Sequence, residues 1–278
     1  MMRDGMMQSL IMGRMDIEYL AYEPAVLFMN GEYYGIQNLR QRSNADLLFT
    51  EYGLDNEQVE MIENFEIQYD PRYLDLINFI ETNDITNNAV YEELKTRMDV
   101  QSYMQVLMTH IFVANYDWPH NNLRMWRKKD GGKWRWMLFD TDFGFNLYIE
   151  DLHNFNSLTY ALGENNEKHT TQWATQLFRR LILNESFRDE FIDRFSVHLS
   201  STFKPERINT IIDSLAAKIR TEVVYHKQRW NVSEREFEYD IQNMKNFSAV
   251  RATKMYDFLG ARFLNSAAQF PLNISSNI

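Results

Sequence analysis

The chain contains no cysteine, and this absence excludes several kinds of chemistry. None of its 278 residues offers a thiolate to bind a metal, to act as a nucleophile or to form a disulfide. Glycine and proline are also scarce, at 10 and 5 residues, and no stretch has the composition of a flexible linker. No apolar run approaches the roughly 18 residues of a transmembrane helix, so we expect no membrane span.

Basic residues are outnumbered, with 29 Lys and Arg against 39 Asp and Glu and a net charge of −10. Such a balance argues against a broad nucleic-acid-binding face, and we expect no nucleic-acid partner. The aromatic fraction of 14% favours a large core or an aromatic-lined cleft. Residues 1–5 lack the basic head and apolar segment of a signal peptide. They resemble the middle of a helix, so we expect that sequence upstream of them is missing.

The first 70 residues predict one helix and a small sheet. Residues 6–20 have a helical pattern. Two apolar segments, 25–29 and 33–39, flank Asn30-Gly31, which is a strong hairpin signal because both turn positions need positive φ. Ser43 predicts the N-cap, and Gly53 the end, of a following helix. Residues 59–69 partly alternate and predict a third strand.

Helical patterns dominate after Pro71, which suits the first turn of a helix. Further helices are predicted over residues 88–98, over about 100–114 and, in several pieces, over 172–265, where Pro205 opens one of them. A hairpin of strands 123–128 and 133–139 interrupts them. The prediction is therefore an α+β fold. A partial small lobe over 1–70 carries the hairpin of 25–42, a helical lobe spans 71–270, and 271–278 form a loose tail.

The polar residues most suggestive of chemistry lie between 110 and 146. Asn122 follows Asp117 by five residues, the hairpin comes next, and Asp140 and Asp142 end its second strand. Phosphoryl transfer uses an aspartate to accept a hydroxyl proton, and an Asn with a second Asp to hold Mg²⁺ on the phosphates. Protein kinases supply these groups in the same order, and Asp142-Phe143-Gly144 repeats their Asp-Phe-Gly element. The set predicts a magnesium-nucleotide site.

Other roles remain open for the same residues. Asp117 before Trp-Pro also suits a turn, and Asp140 or Asp142 also suits a helix N-cap. His110 lies on an apolar helix face and is predicted to be a core histidine. Trp118 is predicted to cover the core rather than to stack on a base. His120 either contacts substrate or contacts nothing.

Three segments resemble the CotH kinase family, the spore coat protein H-like kinases of bacteria. Residues 28–42 are similar to the family's Asn-Gly-Glu-Tyr-x-Gly hairpin and the basic segment after it. Residues 115–122 and 136–145 resemble the segments that carry its catalytic Asp and its Asp-x-Asp cluster. The resemblance implies an atypical protein-kinase-like fold that binds ATP with Mg²⁺ or Mn²⁺. It also implies phosphorylation of Ser or Thr in a secreted or cell-envelope protein.

Carried over by residue, the resemblance makes Asp117 the catalytic base and Asn122 a metal ligand. It makes Asp140 the principal metal ligand, because the family's first Asp and downstream Phe match Asp140 and Phe145. The Asp-Phe-Gly element of ordinary protein kinases instead favours Asp142. Both are expected to contact metal.

Two departures from the family's pattern bear on activity. Gln41 stands where the family often has Glu, and the chain begins at Arg3-Asp4, inside a region that in the family has more strands before it, so we expect the small lobe to be incomplete. In addition, no Gly-rich phosphate loop is present. Arg40 and Arg42 are therefore the candidate phosphate contacts, the alternative being surface pairs with Asp46 or Glu51. A catalytically inactive protein- or glycan-binding module is the second interpretation of the chain, and a carboxylate-based hydrolase is the third.

Overall fold

The computed structural model describes residues 2–164, 170–231 and 234–264. Their helices and strands, in chain order, are α1 (Arg3–Ile11), β1 (Tyr22–Met29), β2 (Glu32–Arg40), α2 (Ala45–Tyr52), β3 (Val59–Glu63), α3 (Pro71–Thr82), α4 (Asn88–Arg97), α5 (Val100–Val113), β4 (Arg124–Lys128), β5 (Arg135–Trp136), α6 (Ser157–Ala161), α7 (Gln172–Leu181), α8 (Glu185–Ser200), α9 (Pro205–Trp230) and α10 (Glu234–Phe263). Short 3₁₀ helices cover Asn56–Gln58, Asn64–Tyr69 and Leu152–Asn154. The fold is mixed α+β, as the sequence predicts.

Two small antiparallel sheets accompany the helices. β1 and β2 form the predicted hairpin around Asn30-Gly31, with Tyr22 opposite Arg40. The other sheet has the order β3-β4-β5, with Val59 opposite Lys128. β3 precedes residue 70, where the two lobes are predicted to meet, whereas its partner β4 follows that residue. The lobe boundary stays a prediction.

Several predicted elements are shorter than their patterns suggest. The first helix ends at Ile11 and not near residue 20, since Gly13 takes a φ of +66° and breaks it. The strand from Val59 ends at Glu63 because Asn64 has a φ of +52° and a 3₁₀ helix follows. Asn44, and not Ser43, caps α2 by accepting a hydrogen bond from the N–H of Leu47.

The predicted strand 133–139 is reduced to Arg135–Trp136. Beyond these residues the chain bonds to other segments: the Trp134 N–H donates to the Arg97 carbonyl, and after Met137, whose N–H still donates to the Arg124 carbonyl of β4, the Leu138 N–H donates to the Glu18 carbonyl. Trp134, Trp136 and Leu138 are nonetheless all buried, as their alternation predicts. Hydrogen bonds to distant segments therefore take the place of part of the hydrogen bonding between β4 and β5, while the same side chains remain buried.

The core extends through most of the helices around α5, which is buried along nearly its whole length. Asp99 caps the first turn of α5 by accepting from the N–H groups of Gln101 and Ser102. On α8, Phe187, Phe191 and Phe195 repeat at four-residue spacing and are fully buried in the same core. Within the described residues, no helix has the length and apolarity needed to cross a membrane. The predicted loose tail lies outside the described residues.

Candidate active site

The C-terminal end of α5 delivers the loop that carries Asp117. Ala114 ends the helix in the left-handed conformation, with a φ of +55°, and its N–H bonds back to the carbonyls of His110 and Ile111. The ring of Trp118 stacks on that of His110 at 4.9 Å, and both are buried. Burial lowers the pKa of His110 to about 3, so this histidine is neutral. The core roles predicted for His110 and Trp118 are thus confirmed.

Asp117 and Asn122 are in direct contact. Oδ2 of Asp117 accepts from Nδ2 of Asn121 at 2.9 Å and from Nδ2 of Asn122 at 3.2 Å. Asn122 is only 3% exposed and has a φ of +57°. The pair therefore holds one carboxylate oxygen of Asp117 in a defined orientation, and the other oxygen takes part in neither bond.

Asp140 and Asp142 follow Phe139, and Asp140 has a φ of +46°. The pKa of Asp140 is raised to about 7, first by burial and then by Asp142, Asp4 and Asp117. A carboxylate whose pKa is raised by the charges of three others must lie close to them. The structure therefore brings Asp117, Asp140 and Asp142 into one site, together with Asp4, which sequence analysis had not singled out.

Asp4 enters the site from the first turn of α1. Its Oδ1 accepts from the backbone N–H of Thr141 at 2.8 Å and from the Thr141 hydroxyl at 2.7 Å. It also forms an ion pair with Arg40. An Asp in the first turn of a helix is common in any protein, so nothing in the local sequence marks it as a site residue.

Arg40 is drawn into this site by its pair with Asp4. The alternative of a surface pair with Asp46 or Glu51 is wrong for Arg40. Nε and Nη2 of Arg40 are buried and have no hydrogen-bond partner among the described residues. Because a guanidinium has five donor hydrogens and no acceptor, the donors on these two atoms are left unsatisfied by the described residues.

Arg42 points to another region. It is exposed, and it faces Arg124, whose pKa is lowered mainly by burial and, less strongly, by Arg42. Gln41 has a structural contact, since its Oε1 accepts from the backbone N–H of Ala21 at 2.9 Å. Of the basic residues after the hairpin, it is therefore Arg40 that lies beside the carboxylates of the site.

Two further residues missed at the sequence level connect the parts of the site. Asn115 donates from Nδ2 to the Asp140 carbonyl at 2.9 Å and accepts at Oδ1 from the Asp117 N–H at 3.2 Å. It therefore ties the two aspartates together through their backbones. Arg3 donates to the Phe145 carbonyl; burial lowers its pKa, and Asp240 and then Asp142 partly oppose that effect.

The Asp-Phe-Gly segment is anchored by its glycine and by the phenylalanine after it. A Cβ on Gly144 would lie 2.4 Å from the Val113 carbonyl oxygen, so glycine is required by this close approach. The Phe145 N–H donates to the same carbonyl at 3.0 Å, and the Phe145 ring is buried against Phe247 at 4.3 Å. Phe143 is instead 38% exposed.

The donor set fits a hard divalent cation. Asp140, Asp142 and Asn122 offer carboxylate and amide oxygens, and Mg²⁺ is usually held by one or two carboxylates while several waters complete its octahedron. Burial and, after it, the neighbouring carboxylates raise the pKa of Asp140, so a cation beside it would favour its charged form. In the described part of the chain, no three His, Asp or Glu side chains are arranged around one common ion position, so waters and phosphate oxygens would have to complete the shell.

Comparison with known proteins assigns the chain to a family. No curated protein matches the chain. The model of the CotH kinase protein family matches residues 55–255, which is more than half of the chain. The match includes Asp117, Asn122, Asp140 and Asp142, while α1 and the β1–β2 hairpin precede it. The chain belongs to the CotH kinase family.

Proposed function

We propose that this chain is a kinase that uses ATP and a divalent metal to phosphorylate Ser or Thr of a secreted or cell-envelope protein. Membership of the CotH kinase family supports a kinase-like function. The observation that carries the proposal is the convergence of Asp117, Asn122, Asp140 and Asp142 in one site. Secretion, and a Ser/Thr-rich segment as the acceptor, are inferred from the family resemblance alone.

Asp117 is proposed as the catalytic base. The acceptor hydroxyl oxygen bonds to the γ-phosphorus, the bond from that phosphorus to the β,γ-bridging oxygen breaks, and ADP leaves with the electron pair. The hydroxyl proton passes to the carboxylate of Asp117. Asn121 and Asn122 support this role because both bind Oδ2 and so orient the carboxylate as a whole.

Asp140, Asp142 and Asn122 are proposed to hold Mg²⁺ or Mn²⁺. A divalent cation there would neutralise charge on the β- and γ-phosphates during transfer. The high pKa of Asp140 supports this role because a site with excess negative charge gains most from a bound cation.

Arg40 is proposed to contact a phosphate of ATP through the two guanidinium nitrogens that lack partners. Its pair with Asp4 keeps the side chain beside the carboxylates. Arg42, which the sequence pairs with Arg40 in this role, is proposed only as a more distant contact, because it faces Arg124.

Calorimetry of ATP binding, with and without Mg²⁺ or Mn²⁺, tests the site directly. The parent chain should bind ATP only with metal, and Asp140→Asn should abolish that binding. Asp117→Asn should bind ATP normally but lose phosphate transfer from labelled ATP by orders of magnitude. Asp130→Asn, in the exposed turn between β4 and β5, is a matched control and should behave as the parent.

The proposal fails if the parent chain binds no ATP with either metal, and a protein- or glycan-binding module then becomes the better interpretation. If ATP binds but no candidate protein is labelled, the nucleotide site stands and the transferase activity does not. Unfolding of Asp117→Asn would make Asp117 structural rather than catalytic.

A further inference from the structure

Arg251 on α10 is a buried cation that the proposed chemistry does not use. It is fully buried, and burial lowers its pKa to about 9, which still leaves it protonated at neutral pH. No carboxylate pairs with it among the described residues. Its guanidinium instead donates five hydrogen bonds of 2.5–2.9 Å, to the carbonyls of Ile111, Phe112, His153 and Phe155 and to the Ser157 hydroxyl.

One side of the guanidinium binds the end of α5. Nη2 donates to the Ile111 carbonyl at 2.8 Å, and Nε donates to the Phe112 carbonyl at 2.9 Å. Carbonyls in the last turn of a helix lack intrahelical donors and form the negative end of the helix dipole. A planar cation with donors in a fixed fork suits this position. Arg251 thus fixes the turn that leads, three residues after Phe112, to Asn115.

The other side of the guanidinium binds the segment that packs on the Asp117 loop. Nη1 donates to the carbonyls of His153 and Phe155, at 2.9 and 2.8 Å. The Phe155 ring contacts the Tyr116 ring at 5.6 Å, and the Tyr160 hydroxyl donates to the Tyr116 carbonyl at 2.8 Å. Arg251 therefore binds both the end of α5, which leads into the Asp117 loop, and the segment around Phe155, which packs against that loop.

We propose that Arg251 is a positioning residue that holds Asn115 and Asp117 in register with Asp140. It contacts neither Asp117 nor Asp140 and acts through the end of α5 and through Phe155. Asn115 transmits the position because it bonds to the backbones of both aspartates. This role rests on the proposed kinase function, in which Asp117 must meet the acceptor hydroxyl.

The test is Arg251→Lys in the full chain, with Arg207→Lys as the matched control. Lysine has three donors on a single nitrogen, so it cannot span the acceptors on both sides. We expect kcat to fall roughly 100-fold, as for a displacement of about 1 Å at a reacting group, while KM for ATP changes less than about threefold. Hydrogen exchange should accelerate at the backbone amides of residues 115–122 and stay unchanged in α8. Arg207, which donates to the Thr202 carbonyl, should give neither effect when replaced.

A purely structural role predicts a lower Tm with unchanged kcat and unchanged exchange at residues 115–122, and that result would overturn the proposal. If Arg251→Lys does not fold, Ser157→Ala decides instead. Ser157 accepts from Nη2 of Arg251 and donates to the Ile111 carbonyl, so the same effects should appear in weaker form, and their absence refutes the role. If the parent transfers no phosphate, the kinase function fails, whereas exchange at residues 115–122 still tests the positioning.

Discussion

Asp140→Asn should make the metal-free protein more stable at neutral pH while abolishing its binding of metal and ATP. The fold raises the pKa of Asp140 from 3.8 to about 7, through burial and through Asp142, Asp4 and Asp117. Between these values the folded state binds more protons than the unfolded state does. The free energy of unfolding therefore falls as pH rises from about 4 to 7 and levels off above pH 7. Asparagine is uncharged throughout, so the variant escapes this loss.

The size of the effect follows from the shift. At about 1.4 kcal/mol per pKa unit, the full shift corresponds to roughly 4 kcal/mol. Asp140 is partly exposed, and solvent screening reduces such electrostatic contributions. We therefore expect Asp140→Asn to raise the free energy of unfolding by about 2 kcal/mol at pH 8, and by close to nothing at pH 4.

Urea unfolding of the metal-free proteins between pH 4 and pH 8.5 measures this difference. Subtracting the parent curve from the variant curve removes the contributions of other groups, such as Asp70, whose low pKa affects both proteins equally. Asp130→Asn should follow the parent curve at every pH. Parallel curves for the parent and Asp140→Asn would refute the claim that Asp140 is held in a crowded, under-compensated site.

Three further substitutions test separate parts of the site. Gly144→Ala should lower stability by about 1–3 kcal/mol, measured by urea unfolding, because its Cβ would lie 2.4 Å from the Val113 carbonyl oxygen; an unchanged midpoint would mean that the approach is looser. Asn115→Ala should reduce kcat at least tenfold with little change in ATP affinity, since it frees the Asp140 backbone; equal losses in both, by steady-state kinetics and calorimetry, would contradict this. Arg40→Met should weaken ATP binding about tenfold, the contribution of one charge-assisted hydrogen bond, whereas unchanged calorimetry would exclude a phosphate contact.

Local patterns in the sequence suffice to predict many of the elements. Asn30-Gly31 predicts the hairpin, Pro205 predicts the start of α9, and Gly53 predicts the end of α2. Each of these signals acts through the conformation of its own residue. The order of Asp117, Asn122 and Asp140 likewise predicts a shared site, because protein kinases supply the same groups in the same order to one site.

Contacts between distant segments account for what the sequence did not predict. Asp4 reaches Thr141 across 137 positions, and β3 pairs with β4 only because the helices between them return the chain. Arg251 joins α10 to α5 across 140 positions. Pairings of this kind depend on tertiary packing that no local pattern encodes, so Asp4, Asn115 and Arg251 look like ordinary helix and loop residues in the sequence.

The balance of charge in the site is the physical link between this fold and a cation-dependent reaction. Asp140 lies among three other carboxylates, whereas Arg40 pairs with Asp4, and Arg3 has Asp240 as a second partner besides Asp142. A cluster that served stability alone would gain from replacing one aspartate by a neutral residue. A site that retains such repulsion is typical of function, because strain of this kind is relieved when the ligand binds. A divalent cation would relieve it at Asp140 and Asp142, which is why the same substitution should stabilise the metal-free fold and destroy the site.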